Sequence, residues 1–156
     1  MANVKITELA ALTTTDDATD VIAVVDVSAD ATKKISVANL VTTQARTYTA
    51  AQRGEITALT DGANISVDLA ASNNFTVTLA GNRTLDNPTN IVAGQSGSIF
   101  IVQDGTGSRT LAYGSYYDFA GGTAPTLSTA AAAVDRIDLI VRSATSIHCV
   151  FTANYS

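Results

Sequence analysis

The chain has no tryptophan, one methionine at position 1, one cysteine and one histidine in 156 residues. These scarcities exclude whole classes of chemistry. A lone cysteine, Cys149, cannot close an intrachain disulfide, so the fold does not depend on an oxidising compartment. The lone histidine, His148, has no second His or carboxylate close in sequence, its neighbour Cys149 falls on the opposite face of the strand, and no strained nucleophile elbow occurs. That leaves neither a metal-ligand spacing nor a Ser-His-Asp arrangement.

Charge is scarce as well. Charged residues make up 15% of the chain, against about 25% in ordinary soluble domains. The net charge is −5 and only Lys33-Lys34 are adjacent basic residues, so a phosphate-binding surface is missing and nucleic acid is not an expected partner. No apolar run approaches the roughly 20 residues of a membrane span, and the amino terminus lacks the basic head and apolar stretch of a signal peptide. No membrane span and assembly in the cytoplasm are therefore expected. Asp16, Asp17 and Asp20, and likewise Asp26 and Asp30, lack the glycine and distal glutamate of a calcium loop, and read as solvated turns. The glycines of Gln103 to Ser108 lack the lysine and following helix of a phosphate loop. No cofactor, metal or enzymatic activity is expected.

What the chain has is β grammar. Phe75-Val77-Leu79 and Ile99-Ile101 alternate at period two, and Gly81-Asn82, Gly94-Gln95, Asp104-Gly105 and Gly121-Gly122 break the runs between them. Strands are predicted at about 63–69, 73–79, 97–103, 109–113, 134–142 and 145–152. The last two form the clearest hairpin, across Ser143-Ala144. Six short strands at this spacing predict an all-β fold, an antiparallel β-sandwich or jelly-roll-like domain. Asn82-Arg83-Thr84-Leu85 and Ser108-Arg109-Thr110-Leu111 echo each other after glycine-containing turns and read as two similar strand starts, each arginine held near a turn carbonyl or an acid. In the final strand Cys149 shares a face with Ile147 and Phe151, which predicts a buried structural thiol.

The first 45 residues read differently. Val21-Ile22-Ala23-Val24-Val25 and Lys33-Lys34-Ile35-Ser36-Val37 form a hairpin with a long loop, too small to hold a core of its own. The expected organisation is an anchoring arm at 1–45, a linker at 46–62 and the β-sandwich domain at 63–156. Val21, Val24, Ile35, Val37 and Leu40 are the candidate anchoring residues. Tyr113, Tyr116, Tyr117 and Phe119 form the densest aromatic group. Exposed, they would be a contact patch for sugar or protein; buried, a plug over the end of the sandwich.

The opening Lys5-Ile6-Thr7-Glu8-Leu9-Ala10-Ala11-Leu12, the segment Asp20 to Asp26 and the stretch Thr32 to Leu40 resemble the amino-terminal segment of small structural proteins of tailed bacteriophages. Val77 to Leu85 and Gly97 to Gly107 are similar to the β-rich modules of the same proteins. The resemblance implies a virion protein whose amino-terminal segment attaches to the particle while the β-rich part projects outward, often as a trimer. With no coiled-coil heptads or extended repeat to build a shaft, a capsid decoration or head-fibre subunit bound to the major capsid protein is the first expectation. The alternative is a tail-fibre or host-recognition module binding cell-surface glycan through the aromatic loop.

Overall fold

The structure is a computed structural model that describes residues 21–26, 31–36 and 50–155. The described residues form strands with almost no helix, and the chain divides into two units, Met1–Ala51 and Gln52–Ser156.

In the first unit, β1 (Val21–Asp26) and β2 (Ala31–Ser36) pair antiparallel, with Ile22 opposite Ile35, Val24 opposite Lys33 and Val21 opposite Ser36. β-branched residues dominate β1 and favour the extended backbone. Val21 and Val24 stand three positions apart, in opposite phases of the strand's alternation. Of the other anchoring candidates, Ile35 lies on β2, whereas Val37 and Leu40 lie outside the described residues.

The second unit contains β3 (Ile56–Ala58), β4 (Asn64–Ile65), β5 (Asn74–Leu79), β6 (Arg83–Leu85), β7 (Ser96–Gln103), β8 (Leu111–Tyr113), β9 (Tyr117–Phe119), β10 (Val134–Ser143) and β11 (Ser146–Thr152). They form a six-stranded sheet of order β3-β5-β7-β10-β11-β9 and a three-stranded sheet of order β4-β6-β8. β3 falls inside the stretch expected to be linker, so the later part of 46–62 belongs to the folded unit.

Strand direction corrects the antiparallel expectation. From β3 to β8 the chain alternates between the sheets, and each strand adds parallel to the one two earlier: β3 to β5, β5 to β7, β4 to β6 and β6 to β8. The hairpin expected across Ser143-Ala144 is present, but the turns between β3 and β8 are corners between the sheets. Ala80-Gly81-Asn82 carries the chain from the large sheet to the small one, and the return passage supplies the crossover that parallel neighbours need. The result is a short winding of the solenoid kind. Only the final strands run antiparallel, with β10 beside β7 and β11 beside β10, before β9 closes the sheet parallel to β11.

Alternation sends one side of each strand inward. Phe75, Val77, Leu79, Ile99, Ile101, Ile137, Leu139, Val141 and Ile147 of the large sheet and Ile65, Leu85 and Leu111 of the small one meet in a single core. Close backbone approach demands glycine at one point: a Cβ on Gly97 would overlap the Asn73 carbonyl oxygen, the group that accepts from Ser98 N at 3.0 Å.

Polar side chains tie successive turns of the winding together. Asp61 accepts from Arg83, Asn64 donates to Asp86 Oδ1 at 2.7 Å, Asn90 donates to Asp68 Oδ1 at 2.7 Å, and Gln95 donates to Asn73 Oδ1 at 3.0 Å. Every one of these pairs spans 22 residues, between the 20-residue offset of β4 and β6 and the 24-residue offset of β5 and β7. The next turn is longer, and Asn82 Oδ1 accepts from Thr110 N across 28 residues.

Candidate functional site

The aromatic group lies where the small sheet hands the chain back to the large one. Tyr113 ends β8, Tyr116 sits in the connection, and Tyr117 and Phe119 lie on β9. The group is turned inward. Tyr117 is buried, while Tyr113, Tyr116 and Phe119 are half-buried and packed against the core. Tyr113 meets Phe119 edge-on with centroids 4.8 Å apart, and meets Tyr117 in the same manner at 6.1 Å, the geometry that the ring quadrupoles favour. The arrangement is that of a plug rather than a free patch.

The plug is imperfectly satisfied. The hydroxyls of Tyr113 and Tyr117 are both buried without a hydrogen-bond partner. Burial pushes the pKa of each well above the ordinary phenol value, so both stay protonated donors. Beside them is a cleft of about 270 Å3 bordered by Tyr113, Ser115, Asp118, Phe119 and Gly122. Gly122 lies in the 3-10 turn Ala120–Gly122, where Gly121 and Gly122 both have positive φ, at 77° and 73°.

Loops around the winding are pinned by side chains acting as backbone substitutes. The buried Gln103 accepts from Arg109 N at 2.8 Å and donates to Arg109 O at 3.0 Å, closing the loop after β7. Asp104 accepts from Thr106 N and Gly107 N, and also from the Arg109 guanidinium at 2.7 Å. This resembles no phosphate cradle, because the amides are already spent on the carboxylate. Both echoed arginines are therefore held by acids, Arg83 by Asp61 and Arg109 by Asp104. The two echoed strands lie side by side, shifted by two residues so that Arg83 stands opposite Leu111.

Comparison of the chain with protein-family models, curated proteins and solved structures returns no match.

Cys149 is buried opposite Leu139, with its pKa pushed up to about 12, first by burial and then by the charge of Asp118. Among the described residues no group of three His, Cys, Asp or Glu side chains could hold a metal ion. No helix of the described residues is long and apolar enough to cross a membrane.

A surface that the sequence reading missed is the outer side of the six-stranded sheet. Ile56 on β3, Ile140 on β10 and Val150 on β11 are exposed there, on the faces of their strands opposite the buried residues. Alternation in the final hairpin carried the signal, since Ile140 and Val150 occupy the phase of Arg136, Asp138 and His148 rather than that of the core.

Proposed function

We propose that this chain is a structural protein of a tailed-phage particle that decorates the outer capsid surface. Residues 1–45 attach to the major capsid protein. The 52–156 unit projects as a two-layered sandwich and assembles into a homotrimer. The observation that carries the reading is the hairpin β1–β2, a two-stranded sheet paired only with itself among the described residues and assigned to a separate unit from the cored domain. Two strands alone do not hold a stable core in water, so the element needs a surface to dock on. The sequence resemblance supplies the identity of that surface.

The domain supports the same reading in another way. Apart from the Tyr113 and Tyr117 hydroxyls, its buried polar side chains Gln103, Asp135 and Ser146 are engaged in hydrogen bonds within the fold, as suits a scaffold. Deleting residues 1–45 should leave a folded domain that no longer co-sediments with particles. Co-sedimentation of the truncated chain at the normal copy number would refute the anchoring role.

A second reading, a tail-borne module binding host-surface glycan, is favoured by the cleft of about 270 Å3 beside Tyr113, with Ser115 and Asp118 at its border. Retention of the full chain on immobilised host polysaccharide, lost on Asp118→Ala, would favour it over the first.

A further inference from the structure

We propose that the outer face of the six-stranded sheet is the surface through which copies of this chain associate. The inference rests on the self-assembly part of the reading above and names the surface that performs it.

Among the described residues, four of the five large exposed hydrophobic side chains lie on or beside this face. Ile56, Ile140 and Val150 project from its strands, and Tyr155 lies against the Arg136 guanidinium, 5.0 Å from its ring centroid. Register makes Ile140 and Val150 diagonal neighbours on β10 and β11, whereas Ile56 lies four strands away, across Asn74, Ser98 and Asp138. Asp138 of β10 stands between Ser98 of β7 and Val150 of β11, and Ile140 stands between Ser96 and His148. Half-buried Phe100, Val102 and Val134 continue the apolar surface inward along β7 and β10. The Arg136–Asp138 pair separates this group from Ile140 and Val150, and the two apolar groups together mark an interaction surface with polar residues between them.

Electrostatics selects a second copy as the occupant. The chain carries a net charge of −5, so copies repel one another over most approaches. On this face the charges cancel: Arg136 pairs with Asp138 at 2.8 Å, and Ser146 Oγ accepts from Arg142 while donating to Asp118. A neighbouring copy can therefore approach this face without a like-charge penalty. The six strands present about 600 Å2 on one side, from roughly 3.4 Å per residue along a strand and 4.8 Å between strands. Two copies then bury about 1,200 Å2, the lower bound of a specific interface. An open depression of about 520 Å3 bordered by Phe119, Ile140, His148 and Val150 gives the face relief into which a partner's side chains can seat.

The test is sedimentation equilibrium of the full chain at micromolar concentration, as wild type, as Ile140→Lys with Val150→Lys, and as Val92→Lys. Val92 is 65% exposed against 63% for Val150, and it lies outside the strands of the face. The expected result is an oligomeric wild type, an oligomeric Val92→Lys, and a double variant weakened about a hundredfold or more, as for loss of a hot spot. A double variant that stays oligomeric overturns this face while leaving self-assembly intact. A monomeric wild type overturns both, and leaves the face to the capsid protein. Should the double variant fold poorly, Val150→Cys treated with a short bismaleimide reads the same contact. Covalent pairs that Val92→Cys does not give are expected, and their absence overturns the proposal.

Discussion

Asp61 and Arg83 form a two-point ion pair across successive turns of the winding, with Nε to Oδ1 at 2.8 Å and Nη2 to Oδ2 at 2.6 Å. The guanidinium holds the Asp61 carboxyl below its ordinary value of 3.8, chiefly through these hydrogen bonds. Asn90 does the same for Asp68, and Arg109 brings Asp104 to about 2. A carboxylate with a depressed folded pKa contributes stability above its unfolded pKa and loses it as pH falls through the folded one. The melting temperature should therefore fall as pH is lowered from about 4 to about 2, and Asp104→Asn should flatten part of that fall. A melting temperature unchanged over this window would contradict the pairing.

Asp135 is buried, and it accepts from Ser128 N at 2.8 Å, Ser128 Oγ at 2.7 Å and Asn154 N at 2.8 Å. It fastens the segment before β10 and the carboxyl-terminal residues to the same strand. Asp135→Ala strands these donors and should cost about 3 kcal/mol in denaturant unfolding, the range for breaking a buried charged network. Asp135→Asn keeps one acceptor and should cost less. Equal, negligible losses for both would refute the fastening role.

Strand positions were largely legible in the sequence, and strand partners only in the two hairpins, β1 with β2 and β10 with β11. Period-two alternation located β5, β7, β10 and β11 because each has one face in the core. Parallel winding left no comparable trace. The pairs that join its turns, Asp61 with Arg83, Asn64 with Asp86 and Asp68 with Asn90, are complementary rather than alike, so internal similarity does not reveal the period. The one visible echo, at Arg83 and Arg109, belongs to strands that are indeed neighbours, shifted by two residues. β3 escaped notice because Ile56 and Ala58 are exposed and show no buried phase. The aromatic loop could be located but its orientation could not, since alternation fails in turns.

Cys149 should react with a thiol reagent only as the domain unfolds, because it is buried and its pKa is about 12. Cys149→Ala should cost about 1 kcal/mol through lost packing, and Cys149→Asp should prevent folding by burying an unpaired charge. A thiol pKa raised by folding also makes the fold lose stability as pH rises from about 9 toward about 12. Labelling of the native protein at the rate of a free peptide cysteine would place the strand one residue out of register.

Tyr117 tests the plug. Its buried hydroxyl has no partner, so Tyr117→Phe should leave stability unchanged or raise it by about 1 kcal/mol, since an unsatisfied polar group is removed without loss of ring packing. A loss of 1 kcal/mol or more in thermal or denaturant unfolding would mean that the hydroxyl is engaged.

The most direct test of the whole account is where the protein sits on the particle. Virions dissociated into heads and tails and probed with an antibody to this chain should carry it on the head fraction, in many copies and dependent on residues 1–45. Recovery on tails, or absence from purified particles, would contradict it.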